Sequence, residues 1–319
     1  MTAGDECIAL VIPAYRAQAS VGEVVAGFRE RVDLIVVVDD ASADGTAEAV
    51  TGLGDDVIVL RHERNQGVGA AMKTGIAEAL RRGADIVVKA DADGQMDPEQ
   101  FDALLRPLLA READVTKGNR WHHGRELEAM PMLRRMGNLA LGFLVRASSG
   151  AWRVFDPTNG YIAWRREALE AIDLGDAEDR YRFEVSMINL LTLRRAVIHD
   201  VPMPARYGPA RSHLNPLAEL PGFAVFLFVA TWKRLWLQYF VYDFNAVSLF
   251  LVAGDLLTCF GVIFGGLHWY QSIATGIPAT AGTVLLAALP TLLGFNLYVQ
   301  AMVLDISRAP TEPLCRRAR

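Results

Sequence analysis

The stretch that decides the fold reads 85-DIVVKADADGQMDPE-99, in which a short apolar strand runs into a cluster of acids. Ile86–Val88 form the strand, and Asp91, Asp93 and Gln95 follow it. Oxygen ligands of this kind suit Mg²⁺ or Mn²⁺, which commonly binds through one or two carboxylates and the phosphates of a substrate. Taken alone, an Asp-x-Asp pair is equally compatible with a solvated acidic turn.

A second carboxylate pair favours a site over a solvated turn. Asp39 and Asp40 end another apolar run, Leu34–Val38. Ligands of open α/β sheets bind beyond the carboxyl ends of the strands, so two strands that deliver acids to one edge predict a site there. Pro13 and Tyr15, which follow the first apolar run, are expected at the same edge.

The fold class follows from the alternation of two patterns. Short, continuous runs rich in β-branched residues predict parallel strands buried on both faces. These runs are Ile8–Ile12, Leu34–Val38, Val57–Leu60 and Ile86–Val88. Helical stretches lie between them, at Ser20–Arg31 with Ser20 as its cap, at Asp44–Leu53 and at Gly69–Arg82. The alternation predicts βαβ units and an α/β, Rossmann-like open sheet.

Gly67 and Gly69 precede one of these helices and could be taken for part of a dinucleotide fingerprint. The third glycine of G-x-G-x-x-G would fall at Met72, and the stretch follows the third apolar run rather than the first. A nicotinamide site is therefore disfavoured. The two glycines are expected to allow a tight turn into the helix.

Composition limits the class of protein. The chain has 319 residues, a net charge of −5 and no basic stripe with interleaved aromatic residues, which argues against nucleic acid as a partner. Hydrophobic residues make up 52%, and the mean hydropathy of +0.20 is high for a water-soluble protein. Three widely spaced cysteines show neither a metal-ligand nor a disulfide pattern.

The hydrophobic surplus lies in the C-terminal third. Ala246–Leu267 and Ala281–Leu304 each exceed the roughly 20 apolar residues needed to cross a bilayer. The loop between them is uncharged, whereas basic residues lie before the first segment and after the second, so both ends are expected in the cytoplasm. Residues 223–244 are apolar and aromatic but contain Lys233 and Arg234, which favours helices that lie in the membrane interface.

Several motifs occur in the order and spacing of family-2 glycosyltransferases with the GT-A fold, which the chain resembles. They are VIPAY at 11–15, VDDASADGT at 38–46, NQGVG at 65–69, DADGQ at 91–95, GNR at 118–120 and DPTNGY at 156–161. The resemblance continues into the apolar segments and covers nearly the whole chain. Within the family, the chain looks most like the polyprenyl-phosphate glycosyltransferases, the branch similar to dolichyl-phosphate-mannose synthase.

This resemblance implies an inverting, metal-dependent transfer of a sugar from a nucleotide sugar to a polyprenyl phosphate on the cytoplasmic face of the membrane. The implied partners are a UDP- or GDP-linked donor, with UDP slightly favoured, the lipid phosphate and the bilayer. The implied cofactor is Mg²⁺ or Mn²⁺, and the sugar is left open. Two alternatives remain: a membrane glycosyltransferase with another lipid or a polysaccharide as acceptor, and a non-catalytic scaffold subunit.

The resemblance also implies roles for individual residues. Nucleotide-sugar contacts fall on Pro13, Tyr15, Asp39, Asp40, Lys73, Asp91 and Arg206. The metal ligands are Asp91, Asp93 and Gln95. The residues implied to bind the acceptor phosphate are Arg120, Arg134 and Asn138, and Asn138 stands where the family usually has a small hydroxyl residue. Asp156 and Asp93 take the catalytic roles, Asp156 as an orienting or base-like group near the acceptor.

The expected organisation has four parts. Residues 1–215 form a cytosolic GT-A domain, 216–245 interfacial amphipathic helices, 246–305 a two-helix transmembrane hairpin and 306–319 a basic cytoplasmic tail. The protein is expected in the cell (inner or plasma) membrane, as a multi-pass protein with its catalytic domain in the cytoplasm. The transmembrane helices are also a possible route to a homo-oligomer.

Asp255 lies inside the first apolar segment, where an ionisable group is costly and usually faces a partner. We expect it to face the second segment or a neighbouring subunit and to bond Asn296, which lies at matching depth, or Gln300, one turn along the same face. The alternative is a carboxylate that reaches back to cytosolic water.

Overall fold

The computed structural model describes residues 6–123, 132–204 and 216–317. Its strands are β1 (Ile8–Ala14), β2 (Leu34–Asp39), β3 (Val57–Arg61), β4 (Ile86–Lys89), β5 (Val115–Asn119), β6 (Ile162–Arg165) and β7 (Ile198–Pro202). Within these residues they form one seven-stranded sheet in the order β3-β2-β1-β4-β6-β5-β7. Its helices are α1 (Val21–Phe28), α2 (Val68–Arg81), α3 (Phe101–Leu109), α4 (Met132–Ser149), α5 (Arg166–Glu170), α6 (Phe183–Leu193), α7 (Pro216–Trp236), α8 (Ala246–Thr275), α9 (Ala281–Ser307) and α10 (Leu314–Arg317).

All strands except β6 run in the same direction. Because β6 pairs antiparallel with β4 and β5, the loop that precedes β6 reaches the edge at which the other strands end. Ala14, Asp39 and Lys89 stand at the ends of β1, β2 and β4, and β5 ends at Asn119. The sequence motifs therefore converge on one edge, as the α/β pattern predicts.

Both faces of the sheet are covered, which explains why its strands are apolar throughout. Val11 and Val36 are buried under α2 and α6. Leu10 and Ile35 are buried on the opposite face, under α1 and α3. Gly75 lets α2 lie close to β1, since a Cβ at this position would overlap the side chain of Val11.

The helix expected over Asp44–Leu53 is wrong, because the segment is a series of turns. The side chain of Asp44 accepts hydrogen bonds from the backbone N–H (3.2 Å) and the hydroxyl of Thr46, and local bonds of this kind compete with a helix. Ser20 does precede α1, but its hydroxyl donates to Ala92 O (2.6 Å) and does not cap the helix.

The chain divides into two compact units. One contains the described residues up to Thr231 and the segment from Pro310 onward, and the other spans Trp232–Ala309. The second unit holds α8 and α9, which pack together and are each long and apolar enough to cross a membrane. Small residues allow this packing, since a Cβ on Gly294 would lie 2.8 Å from Gly254 O. The boundaries expected from the sequence stay predictions.

Arg234, expected at the membrane interface, is buried within the second unit. Its guanidinium donates to Asp305 Oδ1 (2.9 Å), and the same oxygen accepts a hydrogen bond from the Tyr239 hydroxyl. The ion pair removes much of the cost of placing this charge in an apolar segment. The interfacial position of residues 223–244 as a whole stays a prediction.

Asp255 faces the second of the two long helices, as expected, but its partner is a different residue. The Tyr298 hydroxyl donates to Asp255 Oδ1 (2.5 Å), whereas Asn296 and Gln300 bond to each other (2.6 Å). Residues two apart point about 200° apart around a helix. The expected pairing matched the residues by depth alone and left out this rotation.

Candidate active site

A cavity of about 410 Å³ opens at the edge where β1 and β2 end. Three of the expected nucleotide-sugar residues, Pro13, Tyr15 and Asp40, lie in its wall. The other lining residues are Ala14, Asn65, Gly67, Val68, Ala71, Arg180 and Tyr181. Tyr15 and Tyr181 are half exposed, so each can offer a ring to a ligand. An apolar wall with a few polar groups is typical of small-molecule sites.

Asp40 builds the wall of this cavity. Its carboxylate accepts hydrogen bonds from the backbone N–H groups of Gln66 (2.9 Å) and Gly67 (2.7 Å). A ring nitrogen of His62 lies 2.8 Å from the same carboxylate. Gly67 has a φ of 105°, a conformation that favours glycine. The carboxylate thus orders the turn between β3 and α2.

Asp39 is fully buried beneath the cavity and is not among its lining residues. Its Oδ1 accepts the backbone N–H of Ser42 (3.0 Å). Its Oδ2 lies 3.3 Å from Arg61 Nε, yet within the described residues this oxygen has no hydrogen-bond partner. The contact is therefore electrostatic, and of the two acids only Asp40 meets the cavity.

The segment that contributes Arg180 and Tyr181 packs directly on the start of α2. The N–H of Ala70 donates to Asp179 O (3.0 Å), and a Cβ on Gly69 would lie 2.8 Å from the carbonyl carbon of Asp179. Gly69 thus serves the tight turn expected from the sequence and also admits this neighbour. Sequence reasoning did not find Arg180 and Tyr181, because a distant loop carries no local pattern that reports its packing partner.

Lys89 is buried at the end of β4 and holds Asp91. Its Nζ lies 2.5 Å from Asp91 Oδ1 and 3.1 Å from Glu184 Oε1. Burial alone lowers the pKa of a lysine, but the two carboxylates outweigh burial and raise the pKa of Lys89 above its usual value. The charged ammonium therefore fixes one oxygen of Asp91.

Asp93 is the partner of Asp91 in the expected metal site. Burial raises the pKa of the Asp93 carboxyl, and the charge of Asp91 raises it further. A hydrogen bond from the N–H of Gln95 (3.0 Å) lowers this pKa but does not outweigh the other two effects. A divalent cation beside two such carboxylates would favour their ionised forms, so these residues fit the implied ion. No group of three or more His, Cys, Asp or Glu in the described ranges could hold an ion, so the other ligands would come from substrate and water.

Arg120 and Asp156 form one bidentate ion pair. Arg120 Nε donates to Asp156 Oδ2 (2.7 Å), and Arg120 Nη2 donates to Asp156 Oδ1 (3.0 Å). The Asp156 side chain is fully buried, whereas 32% of the Arg120 side chain is exposed. A partly exposed guanidinium with a fixed orientation suits the recognition of a phosphate. The buried carboxylate is thus placed to orient Arg120.

The loop from Asp156 to Tyr161, which begins at one member of this pair, also reaches Asp91. A Cβ on Gly160 would lie 2.6 Å from both Asp91 Oδ2 and Lys89 Nζ, so a larger residue there would displace these two groups. Lys89 Nζ also lies 3.4 Å from Gly160 O. One loop therefore connects Asp156, expected on the acceptor side, with Asp91, expected on the donor side.

Two further charged residues near the pair were not identified from the sequence: Lys117, which is buried, and Asp200, which is partly buried. Burial lowers the pKa of Lys117 on β5 to about 8, against the opposing influence of Asp156 and Glu184. Burial also raises the pKa of Asp200 on β7 to about 6. The signal that could have found Lys117 is a charged residue inside a short buried strand.

Four expected residues are not seen in this arrangement. Lys73 lies on α2 but pairs with Asp179 (2.8 Å) and does not line the described cavity. Arg134 and Asn138 lie on α4, with side chains outside the described part of the molecule. Arg206 lies outside the described residues altogether. The roles expected for these residues stay predictions.

Comparison with known sequences finds a match to the family model described as Glycosyl transferase family 2, over residues 9–173. The undecaprenyl-phosphate mannosyltransferase of Micrococcus luteus is 37% identical over 183 residues, which cover 56% of this chain and 74% of that protein. The UDP-N-acetylglucosamine–dolichyl-phosphate N-acetylglucosaminyltransferase of Methanococcus voltae is 30% identical over 219 residues, which cover 64% of this chain and 87% of that protein.

A solved structure shares the architecture. Glucosyl-3-phosphoglycerate synthase from Mycobacterium tuberculosis, in complex with Mn²⁺, UDP-glucose and phosphoglyceric acid, matches with a TM-score of 0.53 and 24% identity. The match covers 72% of this chain and 80% of that chain. At this identity the likeness shows the fold alone, and it confirms the expected α/β sheet of the GT-A type.

Proposed function

Because the chain belongs to glycosyl transferase family 2, we propose that it transfers a sugar from a nucleotide sugar to a polyprenyl phosphate, with inversion at the anomeric carbon. The observation that carries this proposal is the contact of the Asp156–Tyr161 loop with Asp91, which joins a phosphate-binding arginine to a candidate metal site. The relatives from Micrococcus luteus and Methanococcus voltae, whose names specify polyprenyl-type phosphate acceptors, support it.

The acceptor brings its own nucleophile. The second pKa of a phosphoryl group is about 6, so its oxygen is already anionic at neutral pH. That oxygen attacks the anomeric carbon while the bond to the nucleoside diphosphate breaks, and a single displacement inverts the centre. No strong general base is needed, so positioning carries much of the rate.

The residues of the chain supply this positioning. Arg120 binds the acceptor phosphate, and Asp156 holds its guanidinium through two hydrogen bonds. Lys89 holds Asp91 on the donor side. The cavity beside Tyr15 takes the nucleoside. Asp156 acts on the acceptor through Arg120, because its own carboxylate is fully buried.

Asp91, Asp93 and Gln95 would hold a divalent ion, Mg²⁺ or Mn²⁺. When bound, such an ion supplies positive charge to the departing diphosphate as a Lewis acid. Asp91 and Asp93 are two neighbouring carboxylates whose like charges oppose each other, and this is the observation that supports the assignment.

We place the catalytic domain on the cytoplasmic face, in a multi-pass protein. The two long apolar helices are consecutive and pack on each other, so both ends of the hairpin lie on one side. Basic residues lie on that side, at Lys233 and at Arg308, which supports a cytoplasmic orientation.

Incubating membranes with radiolabelled nucleotide sugars and extracting the lipid tests the proposed acceptor. We expect label in a polyprenyl-phosphate sugar when the matching donor is supplied, and a panel of UDP- and GDP-linked sugars identifies that donor. Label in diacylglycerol lipid or in polymer would support the alternative acceptors. No incorporation with any donor would support a non-catalytic subunit.

We further propose that the protein self-associates through α9. Asn296 and Gln300 are exposed, lie one turn apart and share one hydrogen bond, from Gln300 Nε2 to Asn296 Oδ1. In the part of the chain that the structure describes, Asn296 Nδ2 and Gln300 Oε1 have no partner. Polar groups inside a bilayer seek hydrogen bonds, and a free donor beside a free acceptor is self-complementary across a two-fold axis.

Replacing both amides by leucine should therefore lower the oligomeric state. Interhelical polar bonds contribute about 1–2 kcal/mol each, so losing them should raise the dissociation constant by roughly tenfold or more. Light scattering in detergent measures this change. Tyr298→Phe is the matched control, because Tyr298 faces α8 in the same chain. A wild-type monomer, or an unchanged double variant, would contradict this surface.

A further inference from the structure

One carboxylate on β7 links the two segments that carry the Arg120–Asp156 pair. Asp200 Oδ2 accepts a hydrogen bond from Asn119 Nδ2 (3.0 Å) and another from the backbone N–H of Phe155 (2.7 Å). Asn119 immediately precedes Arg120, and Phe155 immediately precedes Asp156. A single side chain thus fixes the backbone next to both members of the ion pair.

The link at Asn119 extends to both sides of Arg120. Asn119 Oδ1 accepts the N–H of Trp121 (2.9 Å), and Asn119 O accepts the N–H of Met203 (3.0 Å). With Asp200 holding its amide nitrogen, the Asn119 side chain has a fixed orientation. The backbone on either side of Arg120 is therefore hydrogen-bonded to β7, which fixes the position from which the Arg120 side chain extends.

Asp200 is a costly residue for a purely structural link. Its Oδ1 is buried and has no hydrogen-bond partner within the described residues. Its charge also lies near that of Asp156, which opposes ionisation, while Lys117 favours it. A neutral side chain could accept the same bonds without this repulsion, so a need for firm positioning explains the carboxylate better than stability does.

We propose that Asp200 is a positioning residue that sets the geometry of Arg120 and Asp156 for the acceptor phosphate. The inference rests on the proposed function, since it concerns the same acceptor. It assigns to β7 a role in acceptor use that is separate from the donor cavity, whose lining contains no residue of that strand.

The chain offers a matched control at the opposite end of the same two strands. Asp114 is a fully buried carboxylate that accepts the N–H of Val197 (2.7 Å), just before β7. It also accepts the N–H of Cys315 (3.4 Å) in α10, away from the edge that carries Arg120. Losing Asp114 should therefore lower the stability of the fold without a specific effect on the KM for the acceptor.

The test compares Asp200→Ala, Asp200→Asn and Asp114→Ala in the full-length protein in detergent. We expect Asp200→Ala to raise the KM for polyprenyl phosphate by about tenfold or more, the equivalent of one charge-assisted bond, with nucleotide affinity changed by less than about twofold. Asp200→Asn should fall between Asp200→Ala and wild type, because a carboxamide oxygen accepts the same two bonds without the charge that strengthens them. Asp114→Ala should lower the melting temperature without changing the ratio of acceptor to donor KM.

If Asp200→Ala does not fold, a second variant, Asn119→Ala, tests the same inference. Asn119→Ala removes one of the two links and should raise the acceptor KM selectively, by a smaller factor. Equal losses for donor and acceptor, or an unchanged acceptor KM, would overturn the positioning role while leaving the proposed function intact. A wild-type enzyme that does not use polyprenyl phosphate would overturn the proposed function and this inference with it.

Discussion

Asp91→Asn and Asp93→Asn should each reduce sugar transfer by at least about a hundredfold, since a bound divalent ion contributes several kcal/mol of charge stabilisation and each 1.4 kcal/mol is a factor of ten. Each substitution removes a negative charge from the ion's ligands and leaves the side-chain volume unchanged. The variants should stay folded in detergent. Initial rates with saturating Mg²⁺ or Mn²⁺ measure the loss, and the melting temperature checks the fold.

Asp97→Asn is the matched control for these variants. Asp97 lies in the same acidic stretch, but its carboxylate accepts the N–H of Glu99 (3.1 Å), a bond that asparagine can keep. We expect nearly full activity in this variant. EDTA should abolish wild-type activity, and added Mg²⁺ or Mn²⁺ should restore it. Full activity in EDTA would show that the two acids serve another purpose.

Arg120→Ala should impair use of the lipid phosphate far more than binding of the nucleotide. A charge-assisted hydrogen bond contributes about 1.5–3 kcal/mol, which corresponds to a rise in acceptor KM of roughly 10- to 150-fold. The substitution also leaves Asp156 buried without its partner, so some loss of stability is expected. Arg120→Lys keeps the charge but not the bidentate fork, and should fall between wild type and alanine.

Arg206→Ala provides the opposite comparison. The resemblance places Arg206 on the donor, so its loss should weaken nucleotide-sugar use and leave the acceptor KM nearly unchanged. Steady-state kinetics with each substrate varied in turn separate the two effects. Equal losses for both substrates in both variants would show that the donor and acceptor assignments are wrong.

The fold could be predicted from the sequence because its signals are local. The apolar runs that became β1 to β4 are short, continuous and β-branched, and each is followed by the polar motif that it delivers to the edge of the sheet. Where local bonds compete with the pattern, as at Asp44 and Thr46, the expected helix was wrong. The antiparallel β6 was not foreseen, since its partners lie far away in the chain.

The candidate site could be predicted in its residue types but not in its contacts. Asp40 and Asp91 were expected to touch substrate or metal, yet the backbone of the turn before α2 and Lys89 already occupy part of their oxygens. Glu184 and Asp200 lie on elements remote in sequence, and no local spacing connects them to the motifs. The pairing of Arg120 with Asp156 likewise depends on the direction of β6.

The measurement that tests the central claim most directly is mass spectrometry of the product made by purified protein, polyprenyl phosphate, divalent metal and each nucleotide sugar in turn. We predict a polyprenyl phosphate carrying one sugar, formed from one preferred donor, with the anomeric configuration opposite to that of the donor. Retention of configuration would contradict the single displacement. A purified, folded protein that glycosylates another lipid and leaves polyprenyl phosphate unmodified would contradict the proposed function itself.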